Sequence, residues 1–291
     1  MKKILLFVIF IFNINYGCFI IEGKGIEGEF GVRSEGLGGA FTAIANDIEG
    51  LFYNPAGLID AKMSALSFGY GKYISNINRA FLGIIYMSSS YTIAGCMNYS
   101  YLKLPQTDGF GLPLSSYVAG DYLNGYAGFG TKIIDMISTG ITLKYLRKRI
   151  GFVTKSFMIG DVGFLIKKIV NIGITFQNIG ESLLKRNLNA PPLIFRVGIS
   201  KYFEWVDFLL SSEYVIEKNN YSYYSLGMEL SPFAYLVVRS GINFEDRDVS
   251  YHLGGSVEVD YKRIGTSLFI NYSISIYSIS IDHLFSISLT L

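Results

Sequence analysis

From Met63 to the C-terminus the apolar residues of this chain alternate with polar or small ones, residue by residue, over run after run. Val249, Tyr251, Leu253, Val257 and Val259 stand against Ser250, His252, Gly254, Ser256, Glu258 and Asp260. Tyr224, Leu226, Met228 and Leu230 stand in the same way against Tyr223, Ser225, Gly227 and Glu229. A helix would mix these two sets, whereas a strand sends them to opposite faces. Beyond the first residues no stretch is continuously apolar over the length of a helical membrane span. Hydrophobicity spread in this way, with every backbone group still to be satisfied, predicts a closed β-barrel in a membrane.

The runs predict an all-β, membrane-spanning antiparallel barrel of about 14 strands, an even number as single-chain bacterial barrels require. Tight gaps at Ser88–Ser90, Asp135, Lys168, Glu204–Trp205, Pro232–Phe233 and Asp260–Tyr261 alternate with mostly longer ones such as Pro105–Gly120 and Gly180–Pro192. That alternation matches short periplasmic turns and longer outer loops. A soluble sandwich would also need polar residues on its outer face.

Composition removes other classes. Only 16% of residues are charged, against about 25% in soluble domains. The balance of 25 Lys and Arg against 23 Asp and Glu leaves +2 with no basic block, so no nucleic-acid partner is expected. Cys18 and Cys96 are too far apart in sequence and context to suggest a disulfide framework or a metal site. The two histidines, His252 and His283, have no metal-ligand spacing, so neither metal nor cofactor is expected. No serine sits in a nucleophile elbow, and the protein reads as a non-enzyme.

Met1, Lys2 and Lys3 precede the apolar run Ile4–Phe12 and then small or polar residues, the layout of a secretory signal peptide. We therefore divide the chain into a signal peptide at 1–22, a hatch or plug segment at 23–62 and an outer-membrane barrel at 63–291. The implied location is the outer membrane of a diderm bacterium, with outer-membrane lipid and the barrel-assembly machinery as partners.

The hatch breaks the period of two. In Gly36–Asp60, Ala40, Phe41, Ile44 and Ala45, then Ile48, Leu51 and Phe52, recur at helical spacing. Gly38 and Gly39 precede them and Asn54-Pro55 stops them, which predicts a short helix ending in a turn and folded into the lumen. GLGGAF is no phosphate loop, because it lacks Lys-Ser/Thr and follows no strand of a βαβ unit.

The run GVRSEGLGGAFTAIANDIEGLFYNPAGL, Gly31–Leu58, closely resembles the N-terminal signature of PorV/PorQ outer-membrane proteins, within the wider group similar to the FadL fatty-acid transporter. GITLKYLRKRIG, NIGITFQNIGE, LVVRSGINF and DHLFSISLTL look like later strands of the same family. The resemblance implies a fourteen-stranded barrel with its N-terminus inside. It also implies a hatch or gate at Gly38, Gly39, Phe41, Asp47, Asn54 and Pro55. Ile44, Leu51 and Phe52 are the candidate apolar ligand contacts. The terminal Leu291 departs from the aromatic that barrel assembly favours.

Two functions follow as expectations. The first is a PorV/PorQ-type anchor in type IX-like secretion or attachment, with secreted cargo proteins or secretion components as partners. The alternative is a FadL-like channel for long-chain fatty acids or other hydrophobic small molecules. Lys144, Asp161, Glu213, Glu229, Arg239 and Glu258 fall on predicted inward faces, where their mixed signs suggest a network bracing the wall.

Overall fold

In the computed structural model the described residues are 30–73, 77–107, 113–180, 191–218, 221–245, 248–261, 266–278 and 280–290. The expected signal segment at 1–22, the first residues of the hatch and Leu291 lie outside them.

The alternating runs become fourteen antiparallel strands among the described residues. They are β1 (Ala65–Tyr73), β2 (Ile77–Met87), β3 (Tyr91–Thr107), β4 (Pro113–Ile134), β5 (Ile137–Ile150), β6 (Val153–Ile166) and β7 (Asn171–Gly180). The second half comprises β8 (Ile194–Phe203), β9 (Phe208–Glu217), β10 (Tyr221–Phe233), β11 (Leu236–Glu245), β12 (Asp248–Tyr261), β13 (Thr266–Ile276) and β14 (Ile281–Thr290). Each pairs with its neighbour in sequence, and β1 closes the barrel on β14 from Ala65↔Thr290 to Lys72↔His283. Closure leaves no edge strand, which is the condition for spanning lipid.

The outward face is apolar. Leu82, Leu143, Met158 and Leu226 are exposed, as are Tyr70, Tyr86, Tyr145, Tyr214 and Tyr272. On the β3–β4 pair, Tyr91 stacks on Phe129 at one border, and Tyr99 meets Tyr101 at the other. Tyr73 is turned inward beneath the Arg79 guanidinium, which lies 4.1 Å from its ring centre. The inward face is polar, with buried Ser67, Thr142, Ser225, His252 and Asp282 on five different strands.

Two elements differ from their sequence reading. Pro105–Thr107 and Pro113–Gly120 were expected in a loop but extend β3 and β4, with register shifts at Leu102/Lys103 and Gln106/Thr107. Bulges of this kind carry a hairpin past the membrane border while its ladder continues. The helix expected through Ala40–Phe52 is replaced by turns and short helical pieces at Val32–Gly36, Gly50–Tyr53 and, as a 3-10 helix, Pro55–Asp60. Asn54 ends the Gly50–Tyr53 piece, as expected, and Pro55 then begins the 3-10 piece. The physical reason is packing on every side. The carbonyl of Ala45, itself at φ 41°, lies where side chains at Gly50 and Gly57 would stand, so the segment folds back on itself.

Candidate functional site

The described part of the hatch, Phe30–Ala61, lies inside the barrel, and its apolar side chains form the protein's only large apolar interior among the described residues. Phe41, Leu51, Phe52 and Leu58 are fully buried. On the side of β1–β4 the contacts are apolar: Phe30 stacks on Phe81 at 5.5 Å, and Phe52 meets Tyr126 edge-on at 4.9 Å and Phe81 at 6.3 Å.

On the side of β8–β12 the contacts are ionic. Arg33 of the plug forks onto Glu229 of β10 through Nε at 3.0 Å and Nη2 at 3.2 Å, and Arg239 of β11 donates to the same carboxylate at 2.6 Å. The remaining nitrogen of Arg33, Nη1, donates to Asn46 at 2.7 Å and Asp47 at 2.9 Å within the plug. Glu213 of β9 accepts the backbone N–H of Phe41 at 2.9 Å and of Thr42 at 2.7 Å, while Arg196 of β8 donates to its other oxygen at 2.9 Å. Arg196 is in turn held by Gln177 at 2.6 Å and lies 5.0 Å from the centre of the Tyr53 ring. A carboxylate that accepts two amides and a guanidinium is fully satisfied although buried. Inside the plug, Glu49 accepts the N–H groups of Arg33 and Ser34 at 3.0 and 2.8 Å, and burial, with Asp47 nearby, pushes its carboxyl up to about 7.

At several inward strand glycines the plug backbone itself presses on the wall. A Cβ at Gly140 would lie 2.3 Å from the Pro55 carbonyl, at Gly173 2.2 Å from the Thr42 oxygen, and at Gly241 2.2 Å from the Gly38 nitrogen. These distances exclude any side chain. Gly38 and Gly39 answer them from the plug at φ 64° and 82°, and a Cβ on Gly38 would come 2.9 Å from the Ile242 nitrogen.

The candidate residues read from the sequence therefore share one site with distinct parts. Phe41 sits edge-on to Tyr53 at 5.5 Å with the Arg33 guanidinium 5.3 Å from its ring centre. Asp47 holds Arg33 and accepts the N–H of Glu49 at 2.9 Å. Ile44, Leu51 and Phe52 are buried in the apolar cluster. Asn54 ties the plug together and to the wall: its amide donates to the Thr42 carbonyl at 2.9 Å and to the Phe164 carbonyl of β6 at 3.0 Å, and its oxygen accepts Ala56 N–H at 3.1 Å. Arg33, Glu49, Gln177, Arg196 and the wall glycines escaped the sequence reading. Their signal was glycine recurring on the polar phase of successive strands, as at Gly227 and Gly254.

Of the predicted inward charges, Lys144 and Asp161 form a buried pair at 2.7 Å, Glu213, Glu229 and Arg239 carry the plug contacts, and Glu258 is half-buried. His252 faces the lumen between Ser250 and Ser275 and lies 3.4 Å from Glu35 of the plug; His283 faces outward.

Similarity to known proteins is structural. The chain superposes on a FadL homologue of Pseudomonas aeruginosa with a TM-score of 0.60 and 10% identity, over 89% of this chain and 97% of that one. The fold is FadL-like. The monoaromatic hydrocarbon channel CymD matches with a TM-score of 0.64 and 12% identity over 89% and 96% of the two chains. The monoaromatic hydrocarbon channel TodX, as a deltaS2 mutant, matches with 0.64 and 11% over 90% and 97%. No protein-family model matches the sequence, and no curated protein matches it either.

Proposed function

We propose that this protein is an outer-membrane channel for hydrophobic small molecules, with the plug as its gate. The observation that supports this most is a lumen filled by a self-contained plug whose two sides differ, inside a barrel that superposes end to end on hydrocarbon channels. A sealed structural barrel has no need to hold its filling through ion pairs on one side and bare aromatic contacts on the other. The FadL-like neighbours favour this reading over the secretion-linked one that the run Gly31–Leu58 suggests.

The plug's residues divide the work. Arg33, Glu213 and Glu229 hold one side in place by charge-assisted hydrogen bonds, each stronger than a neutral one. Phe30, Ile48, Leu51 and Phe52 hold the other by contacts with no directional requirement, the kind an apolar solute can replace. Ligand contacts are proposed for Ile44, Leu51 and Phe52, and gating for the turn at Gly38-Gly39 and the pin at Asn54-Pro55.

The test is uptake of radiolabelled toluene by cells producing the protein, set against cells producing an unrelated barrel. Faster uptake with the wild type, altered when 36–60 is deleted, supports the proposal. Equal uptake in all strains, with exported proteins co-purifying instead, would return the protein to the secretion-linked class.

A further inference from the structure

The membrane-facing wall over β2–β6 is not smooth. A groove of about 590 Å³ runs across it, with Leu82 and Ile84 on one bank and Leu143 and Met158 on the other. Its floor is small because Gly95 pairs with Ala127 and Met97 with Gly125 in the β3–β4 register, which places two glycines and an alanine side by side on the outward phase. A Cβ at Gly125 would meet nothing within 4 Å, and one at Gly95 only the Tyr126 carbonyl at 3.6 Å. These glycines are therefore unlike those facing the plug: no backbone presses on them, and the space they leave is open to the hydrocarbon.

The same outward rows end in cations. Along β5 the outward series runs Leu143, Tyr145, Arg147, Arg149, towards the rim where β5 turns through Gly151 and Phe152; it lies opposite the turns at Ser88–Ser90, Lys168 and Glu204–Trp205 that the sequence reading assigns to the periplasm, and is therefore taken as the outer rim. Buried Asp121 of β4 accepts Arg147 Nη2 at 3.1 Å and Arg149 Nε at 2.5 Å, so one carboxylate serves two guanidiniums. Arg147 Nε has no hydrogen-bond partner. Lys103, on the neighbouring β3, holds its ammonium 5.4 Å from the Tyr101 ring centre. Two guanidiniums thus share one carboxylate, with the Lys103 ammonium on β3 towards the same rim. At about 3.3 Å per residue, the six steps from Leu143 to Arg149 span about 20 Å along a strand tilted by about 40°, or about 15 Å of depth. That is half of a hydrocarbon core about 30 Å thick.

We infer that this face is a binding site for a phosphate-headed lipid of the outer leaflet, with an acyl chain in the groove and the phosphate at Arg147, Arg149 and Lys103. Guanidinium pairs recognise phosphate by forked hydrogen bonds, and an apolar slot below them at leaflet depth adds selectivity for a molecule carrying both parts. The inference depends on the barrel spanning a membrane and is independent of whether the lumen conducts.

Native mass spectrometry of the full-length protein in detergent tests it, with lipid A, dephosphorylated lipid A and inorganic phosphate as probes. We expect one lipid A per barrel to be retained, and the dephosphorylated form to bind at least about tenfold more weakly, as the loss of one charge-assisted contact implies. The double variant Arg147→Gln/Arg149→Gln should lose a similar factor for lipid A. Gly125→Leu, placed in open space, should fold normally by gel mobility with and without heating and should weaken lipid A by filling the groove. Lys103→Gln gives a second reading of the headgroup if the double variant fails to fold. Equal binding of lipid A and its dephosphorylated form, or unchanged binding in Lys103→Gln and Gly125→Leu, would overturn the inference. Inorganic phosphate displacing lipid A completely at equal concentration would overturn the role of the groove.

Discussion

The two sides of the plug are attached by different physics. Towards β1–β4 it rests on rings and aliphatic chains, with Phe30 on Phe81, Phe52 on Tyr126 and Leu51 against Gly128. Towards β8–β12 it is held by Glu229 and Glu213, carboxylates that accept from Arg33 and from the N–H groups of Phe41 and Thr42. Apolar contact is tolerant of sliding and of substitution by another apolar group, while a buried ion pair is intolerant of both. The difference teaches where such a plug can yield. In the proposed gate its ionic side is the hinge, and its aromatic side is the face a hydrophobic solute opens.

The largest effect on the plug is expected of Glu213→Ala. It leaves Arg196 buried without its carboxylate, at a cost of about 3–5 kcal/mol, and takes the acceptor from the Thr42 amide. Hydrogen–deuterium exchange of the 36–60 peptides should rise towards the unprotected rate while the strands stay protected. Phe52→Ala comes next, with about 3–5 kcal/mol for the cavity it opens. Exchange should rise mainly in 48–58, and toluene should partly restore protection by filling the space; no effect of toluene would remove the solute-facing role of that side. Asn54→Ala is milder, about 1–2 kcal/mol for a lost cap, with two further bonds to carbonyls that stay buried. Its signature is faster exchange at 54–58 with little change at 33–42.

The smallest expected effect is that of pH. The Glu49 carboxyl is raised from an ordinary 4.5 to about 7, so the seated plug holds a proton that a released plug gives up. Its contribution is fully present below about 4.5 and is lost as pH rises from there through 7. Plug exchange, corrected for its intrinsic pH dependence, should therefore be slower at pH 5 than at pH 8, and Glu49→Gln should remove most of that difference.

The wall was legible because each strand meets two solvents. β10, β12 and β14 face lipid on one side and a polar lumen on the other, so their alternation is sharp and their register follows. Beyond Leu104 the lipid constraint ends, the alternation lapses, and the continuation of β3 and β4 went unread. The plug misled for the opposite reason. Phe41, Ile44, Leu51 and Phe52 are buried on all sides, so their spacing reflects no single apolar face and the single helix expected from it does not form. Glu213 and Glu229 were placed inward by their phase, but their partners could not be read. Arg33 lies far away in sequence, and the amides of Phe41 and Thr42 carry no sequence signal at all. The wall glycines were visible as small residues on the polar phase, and only the plug backbone lying against them explains why they are glycine.

Flux through proteoliposomes measures directly whether the plug gates a route for hydrophobic molecules, as proposed. Barrels of the wild type and of a variant lacking 36–60 would be compared for entry of toluene and of a small sugar. The wild type should pass toluene and exclude the sugar, and the deletion should admit both through the polar lumen it exposes. A wild type that passes neither, or passes sugar as readily as toluene, would contradict the proposed gate.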